Sequence, residues 1–229
     1  MKLSIVIPVY NEKDTVSEII NRVLSAKVEA DKEIIIIDDG SGDGTRDVLK
    51  KLSESKPDLK IIFKENNSGK GDTLKEGFKH TSGDYVIVQD ADLEYDPGDY
   101  QKLLELVKDK KNVTVYGSRF SGDYKDMTNL HFFGNKFLTL LTNFIFGVSL
   151  TDMETCYKLI PGDFARRLDI KSKRFNFEPE ITAKILKSGM TIMEVPITYK
   201  GRSFSDGKKI TWKDGLSAVF TLIRFRFID

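Results

Sequence analysis

Glu33-Ile34-Ile35-Ile36-Ile37-Asp38-Asp39-Gly40-Ser41-Gly42-Asp43-Gly44-Thr45 carries an unbroken isoleucine run after its first residue and closes in a polar, glycine-rich turn. A strand with one wet face alternates apolar and polar residues, so this run reads as a strand covered on both faces, the kind a parallel sheet contains. Val48, Leu49 and Leu52 follow at helical spacing. The same unit stands upstream: Leu3 to Val9 is rich in β-branched residues, and Val16, Ile19, Ile20, Val23 and Leu24 then share a helix face, with Asn11 as the expected N-cap. Leu59 to Phe63, Gly71 to His80, Tyr85 to Gln89, Pro97 to Lys108 and Val113 to Gly117 continue the alternation. Five strands separated by helices predict an α/β fold with right-handed crossovers and a mostly parallel sheet with helices on both faces. The first 117 or so residues read as one doubly wound unit.

The whole chain has 229 residues, enough to bury a sizeable core without disulfides or structural metal. Thirty-six Lys and Arg oppose 35 Asp and Glu, so the global positive field of a general nucleic-acid binder is missing. One cysteine, Cys156, and two histidines exclude an internal disulfide and a Cys/His zinc site, leaving oxygen ligands for any metal. The N-terminal apolar run is too short for a signal peptide, and no stretch reaches the ~20 apolar residues that span a bilayer.

In doubly wound sheets ligands bind beyond the carboxyl ends of the strands. Those ends are Tyr10-Asn11-Glu12, Asp38-Asp39-Gly40-Ser41 and Asp90-Ala91-Asp92. From Asp84 to Asp99 there are six acids and no base. Asp90, Asp92 and Glu94 follow a buried strand at spacings that let carboxylates converge on a hard divalent ion completed by water and substrate phosphates. Asp96 suffices to cap the helix near Pro97 and leaves the three earlier acids unexplained.

Counted from Asp39, the glycine-rich turn imitates a calcium loop, but Lys50 stands where a bidentate Glu is required. The glycines are better explained by the strand-to-helix turn, leaving Asp38 or Asp39 to accept from a nucleobase N–H. Gly69-Lys70-Gly71 lacks the Walker spacing, and no dinucleotide-type glycine pattern follows the first strand.

The second half differs in character. Phe137 to Phe146 is apolar around most of a helix, Phe177 to Lys187 is amphipathic, and Thr191 to Pro196 is a short strand. A basic, glycine-containing loop from Lys200 to Lys209 precedes a final helix. With no repeat or linker in between, residues 1–229 read as a single domain, the second half an elaboration of the first.

Ile5-Val6-Ile7-Pro8-Val9-Tyr10-Asn11-Glu12, Ile37-Asp38-Asp39-Gly40-Ser41, Asp90-Ala91-Asp92-Leu93-Glu94 and Tyr116-Gly117-Ser118-Arg119 together resemble family 2 glycosyltransferases of the GT-A fold. Gly134-Asn135, Thr151-Asp152-Met153-Glu154, Phe177-Glu178-Pro179-Glu180 and Gly201-Arg202 through Trp212 are similar to the dolichyl-phosphate mannose synthase and polyprenyl-phosphate glycosyltransferase branch. The resemblance implies an inverting, metal-dependent enzyme that moves a hexose, mannose or glucose, from a GDP- or UDP-sugar to a polyprenyl phosphate. The alternative is a family 2 enzyme acting on a saccharide or other soluble acceptor.

It also implies that residues 1–117 form the nucleotide-sugar-binding half and 118–229 the acceptor-binding half, and it implies residue roles. Pro8, Tyr10, Glu12, Asp38 or Asp39, Asp90 and Ala91 would line the nucleotide-sugar site, and Asp92 would bind Mg²⁺ or Mn²⁺. Glu94, where mannose synthases commonly carry Gln, would be a second metal ligand. Arg119, with Arg202, would meet the acceptor phosphate. In the stretch where those synthases carry a second acceptor-binding Arg, the polar candidates are His131 and Asn135. Asp90, Asp92 and Arg119 form the expected catalytic set.

The chemistry fits independently. Expelling a nucleoside diphosphate builds negative charge that a divalent ion, Lys and Arg stabilise, and an ionised phosphate acceptor needs no strong base. Glu178 and Glu180 read equally as a base or as caps of the helix after Pro179. Lys208 and Lys209 read equally as a cover over the pyrophosphate or as solvated surface charge.

Phe137, Leu138, Leu141, Phe144 and Ile145 fall at helical spacing, as do Leu216, Val219, Phe220, Ile223 and Phe227. Residues 197–229 hold seven Lys and Arg against three Asp. They are expected either to pack on the core or to meet a membrane surface, with a membrane-protein anchor as the other route to the bilayer. The expected location is the cytoplasmic face of a membrane, as a peripheral protein.

Overall fold

The computed structural model describes residues 1–108, 110, 112–122, 124–125, 129–174, 176–201 and 212–228. The expected alternation opens it: β1 (Lys2–Val9), α1 (Val16–Ser25), β2 (Asp31–Asp38), α2 (Thr45–Ser55), β3 (Lys60–Phe63), α3 (Lys70–Lys79) and β4 (Tyr85–Val88). A 3₁₀ turn (Pro97–Asp99) then runs into α4 (Tyr100–Glu105), followed by β5 (Val113–Ser118), β6 (Tyr124–Lys125) and α5 (Asn129–Phe146). The chain continues through β7 (Lys158–Pro161), α6 (Gly162–Arg167), α7 (Phe177–Lys187), β8 (Thr191–Pro196), β9 (Tyr199–Lys200) and α8 (Trp212–Phe227).

Seven strands form one sheet in the order β3-β2-β1-β4-β7-β5-β8. The pairs β1–β2, β1–β4, β2–β3 and β5–β8 are parallel, whereas β7 runs antiparallel to both β4 and β5. The mostly parallel α/β architecture is as expected, but two details are not. Lys158-Leu159-Ile160-Pro161 is a strand that sequence reading passed over, because it is short, begins with a charge and ends in proline. It separates β4 from β5, so the strands of residues 1–117 are not contiguous in the sheet.

Burial follows the apolar runs. Ile35, Ile36 and Ile37 on β2 and Ile5, Val6 and Ile7 on β1 are wholly buried, as central strands covered on both faces must be. Asn11 does not cap α1: the N-cap position is Thr15, and Asn11 adopts φ 52° in the loop before it. Asn11 instead bridges two loops, its Oδ1 accepting from the Gly42 N–H at 2.9 Å while its own N–H donates to Ser41 Oγ at 2.9 Å. Asp96 does cap the 3₁₀ turn, accepting from the Gly98 N–H at 2.9 Å.

A second, smaller core lies between α5 and α8, built on Leu138, Leu150, Met153, Ala218 and Leu222. It divides the apolar stripes of both helices. Leu138, Leu141, Ile145 and Val219 face this core, whereas Phe144, Phe220 and Phe227 are 87%, 72% and 79% exposed. Phe137, Leu216 and Ile223 join them on the outside, with Arg224 and Arg226 also exposed.

Candidate active site

Six strands point the same way, so the carboxyl ends of β1, β2, β4 and β5 open on one edge of the sheet, where antiparallel β7 begins at Lys158. The segments that leave β1, β2 and β4 there, Tyr10-Asn11-Glu12, Asp38-Asp39-Gly40-Ser41 and Asp90-Ala91-Asp92, are mostly polar. The loops after β1 and β2 are laced together: the Glu12 N–H donates to Thr45 Oγ1 at 3.0 Å and the Asp39 N–H to the Val9 carbonyl at 2.8 Å. Tyr10 is partly exposed at this rim.

The two adjacent aspartates differ. Asp39 is buried and accepts from the N–H groups of Ser68 and Gly69, at 3.0 and 2.8 Å, and from Lys64 at 2.8 Å. Burial alone would raise its pKa, but these donors hold it below the usual carboxylate range. Asp38 is wholly buried, with Oδ2 beside Arg46 Nε at 2.8 Å and Oδ1 without a hydrogen-bond partner among the described residues. A buried acceptor with no donor is rare in a folded protein.

The turn Asp90-Ala91-Asp92-Leu93-Glu94 is held from below. Gln89, fully buried, accepts the hydroxyls of Tyr100 and Tyr157 at 2.6 Å each and donates through Nε2 to the Asp90 carbonyl at 3.0 Å. Leu93 sits at φ 65°, a left-handed conformation that a branched residue adopts at a cost of about 1–3 kcal/mol. The Glu94 N–H donates to Asp92 Oδ1 at 3.1 Å, and Glu94 Oε2 accepts the Tyr199 hydroxyl at 2.7 Å. Asp92 and Glu94 offer hard oxygen donors of the type Mg²⁺ and Mn²⁺ take. Among the described residues no group of three or more His, Cys, Asp or Glu is placed to hold an ion unaided. The donor set therefore suits an ion completed by phosphates and water.

Sequence reading missed Lys70. The first turn of α3 is pressed against the 172–173 backbone, where a Cβ on Gly71 would lie 1.9 Å from the Ser172 carbonyl oxygen. That packing directs Lys70 Nζ to Asp90 at 2.8 Å and toward Glu178 Oε1 at 3.5 Å. Burial pulls the ammonium pKa down, yet Asp90, Cys156 and Glu178 raise it well above its ordinary value. Glu178 Oε2 in turn takes Lys158 Nζ at 2.6 Å. The result is a buried chain of alternating charge, Asp90–Lys70–Glu178–Lys158, joining β4, α3, α7 and β7.

Neither glutamate caps α7. Glu178 belongs to this chain, and Glu180 accepts from the N–H groups of Lys171 and Ser172, at 2.8 and 2.6 Å, fixing the segment that abuts α3.

Arg119 follows β5 and is buried. Its Nε and Nη2 each donate to Asp152 at 2.7 Å, its backbone N–H donates to the same carboxylate at 3.0 Å, and Tyr199 stacks at 5.3 Å. Asp152 opens the turn that leads into β7, and Glu154 lies two residues on. His131 and Asn135 lie four residues apart on α5, on the same side of the helix. Lys136 brings α5 alongside, its Nζ 3.4 Å from the Thr151 carbonyl and 4.2 Å from the Phe120 ring centre. Arg202, Lys208 and Lys209 lie outside the described residues.

The family model "Glycosyl transferase family 2" matches residues 4–167. The chain is 30% identical to the dolichol-phosphate mannosyltransferase of Pyrococcus furiosus over 219 residues, 92% of this chain and 61% of that protein's length. It is 27% identical to the undecaprenyl-phosphate mannosyltransferase of Micrococcus luteus, over 91% of this chain and 87% of that one. Among solved structures, the fold is shared with glucosyl-3-phosphoglycerate synthase from Mycobacterium tuberculosis in complex with phosphoglyceric acid, with a TM-score of 0.75 at 16% identity over 100% of this chain and 81% of that one. The same enzyme in complex with Mn²⁺, UDP and glucosyl-3-phosphoglycerate gives a TM-score of 0.72 at 16% identity, again over 100% and 81%.

Replacing Lys158 by Met should destabilise the fold by about 3 kcal/mol or more, since it leaves a buried carboxylate undercompensated. Urea unfolding would read this as a lowered midpoint at constant m-value, largely restored in the Lys158→Met/Glu178→Met double variant. A single variant within about 0.5 kcal/mol of the parent would show that the pair carries no such burden.

Proposed function

The chain belongs to glycosyl transferase family 2, and we propose that it moves a hexose from a nucleoside diphosphate sugar to a polyprenyl phosphate, inverting the anomeric centre. The observation that carries this reading is the gathering, at one sheet edge, of the Asp90–Asp92 turn, Lys70 and the buried Arg119–Asp152 pair. Acids and cations alternate there as a diphosphate and a second phosphate require. The relatives named as polyprenyl-phosphate mannosyltransferases favour that acceptor class.

Asp38, with its partnerless buried oxygen, is the better placed of the two aspartates to take a nucleobase N–H. Pro8, Tyr10 and Glu12 would flank the nucleotide, with Lys208 and Lys209 over its phosphates, and Asp90 and Ala91 would meet the sugar. Asp92, with Glu94, would hold Mg²⁺ or Mn²⁺, which when bound offsets the charge of the departing diphosphate. Lys70 adds a fixed positive charge at the same place, pre-oriented by Glu178, so the leaving group meets a cation that need not reorganise. Arg119 keeps donors beyond the two that Asp152 takes, since a guanidinium carries five. With Lys136 nearby on α5, and with His131, Asn135 and Arg202, it would orient the acceptor phosphate. Glu178 is engaged by two ammonium groups rather than presented to a hydroxyl, which favours an acceptor that brings its own negative charge.

The acceptor's prenyl chain places the reaction at a bilayer. Among the described residues no helix is long and apolar enough to cross a membrane. The outer faces of α5 and α8, with Phe144, Phe220, Phe227, Arg224 and Arg226, would instead lie on the cytoplasmic surface, arginines toward anionic headgroups.

Two measurements follow. Arg119→Ala should raise the KM for a prenyl phosphate at least tenfold (~1.4 kcal/mol) while leaving nucleotide diphosphate affinity within about twofold. Asp92→Ala should lower kcat by about a hundredfold or more. Equal losses on donor and acceptor in Arg119→Ala would move that residue to the donor side.

Flotation with vesicles containing phosphatidylglycerol should carry the protein upward at low salt, and Phe220→Ser/Phe227→Ser should abolish this. Parent protein that stays at the bottom would remove direct membrane contact from the account.

A further inference from the structure

Glu154 is the carboxyl that the charge pairing leaves over. Arg119 is matched by Asp152, and Lys158 and Lys70 are matched by Glu178 and Asp90. Glu154 stands among them, in the turn between Asp152 and the first residue of β7, at the sheet edge where the proposed acceptor site opens. Its Oε1 is buried and has no hydrogen-bond partner among the described residues. The charged groups that act on it most strongly are Lys158 at the start of β7, Glu178 on α7, Arg119 after β5, and Asp152 in its own turn. Two of these are positive and two negative, so an ionised Glu154 leaves an excess of one negative charge among them.

We propose that Glu154 is a specificity-determining residue for the acceptor: as a neutral carboxylic acid it donates a hydrogen bond to an oxygen of the phosphate that Arg119 orients. The proton stays on or near Glu154, and no bond other than the hydrogen bond forms. A neutral acid admits a second anion beside Asp152 and Glu178 and gives the buried Oε1 the partner it lacks. Once ionised, Glu154 repels that same phosphate. Burial, followed by the opposed effects of Lys158 and Glu178, raises its pKa to about 7, so the change falls near neutral pH. The acceptor monoester loses its second proton near pH ~6, so above that pH two charges meet the site.

The inference rests on the polyprenyl-phosphate reading, and the test separates the two. With a short-chain prenyl phosphate, acceptor KM in the parent enzyme should rise roughly ten- to thirtyfold between about pH 6 and about pH 8.5, following ionisation of Glu154. Donor KM should not follow. In Glu154→Gln, which keeps the shape and stays neutral, acceptor KM should change less than about twofold over the same range. Calorimetry of the parent protein in buffers of different ionisation heat gives a second readout, independent of whether the variant folds. Prenyl phosphate binding near pH 8 should take up about one proton per site, opposite in sign to the release expected when a phosphate meets only cations.

A flat parent profile, the same rise in Glu154→Gln, or binding without proton uptake overturns the inference alone. Failure to bind prenyl phosphate at any pH, with nucleoside diphosphate binding intact, overturns the acceptor reading and the inference with it.

Discussion

Lys158 is an ammonium group carried almost wholly out of water, and the arrangement of the site depends on its pairing with Glu178 at 2.6 Å. Taking both charges inside costs several kcal/mol each, which mutual attraction offsets only when the remaining donors and acceptors are satisfied. Here the ammonium also donates to the Met153 carbonyl at 2.9 Å, which ties the Asp152–Glu154 turn to the same anchor. The gain is positional. Glu178 is fixed against β7, Lys70 is fixed between Glu178 and Asp90, and four elements distant in sequence meet at one point. Gln89 does the uncharged half of the task, holding the Asp90 backbone through two buried phenols so that the turn can carry Leu93 at φ 65°.

What the sequence disclosed was whatever short-range pattern determines. Four isoleucines in a row cannot be a half-wet strand, and Asp38 through Thr45 cannot be anything but a turn into a helix, so β2, α2 and their neighbours were legible. The place of β7 was not. A four-residue strand opening with Lys and closing with Pro has no alternation to detect, and its antiparallel seat between β4 and β5 is set by tertiary pairing. Asn11 failed as a cap for a related reason: its side chain is claimed by Gly42 across the rim, an interaction with a loop 31 residues away.

The acidic half of the site could be read because Asp90, Asp92 and Glu94 crowd into five residues. The cationic half could not. Lys70 was judged against a phosphate-loop spacing it does not have, whereas its position comes from Gly71 packing on the 172–173 backbone. Arg119 was singled out, but its partner Asp152 lies 33 residues on, and Glu154 gains meaning only from the four charges around it. The apolar stripes of α5 and α8 were visible as stripes. Which residues faced inward was decided by the small core around Met153 and Leu222.

The central claim is the transfer itself, and it is tested most directly by supplying the protein with radiolabelled GDP- and UDP-hexoses, Mg²⁺ or Mn²⁺, and a polyprenyl phosphate, then partitioning the products. The account predicts label in the organic phase with at least one donor, dependent on the polyprenyl phosphate and lost in EDTA. Label that never leaves the aqueous phase with any donor, but appears on an added soluble saccharide, would contradict it.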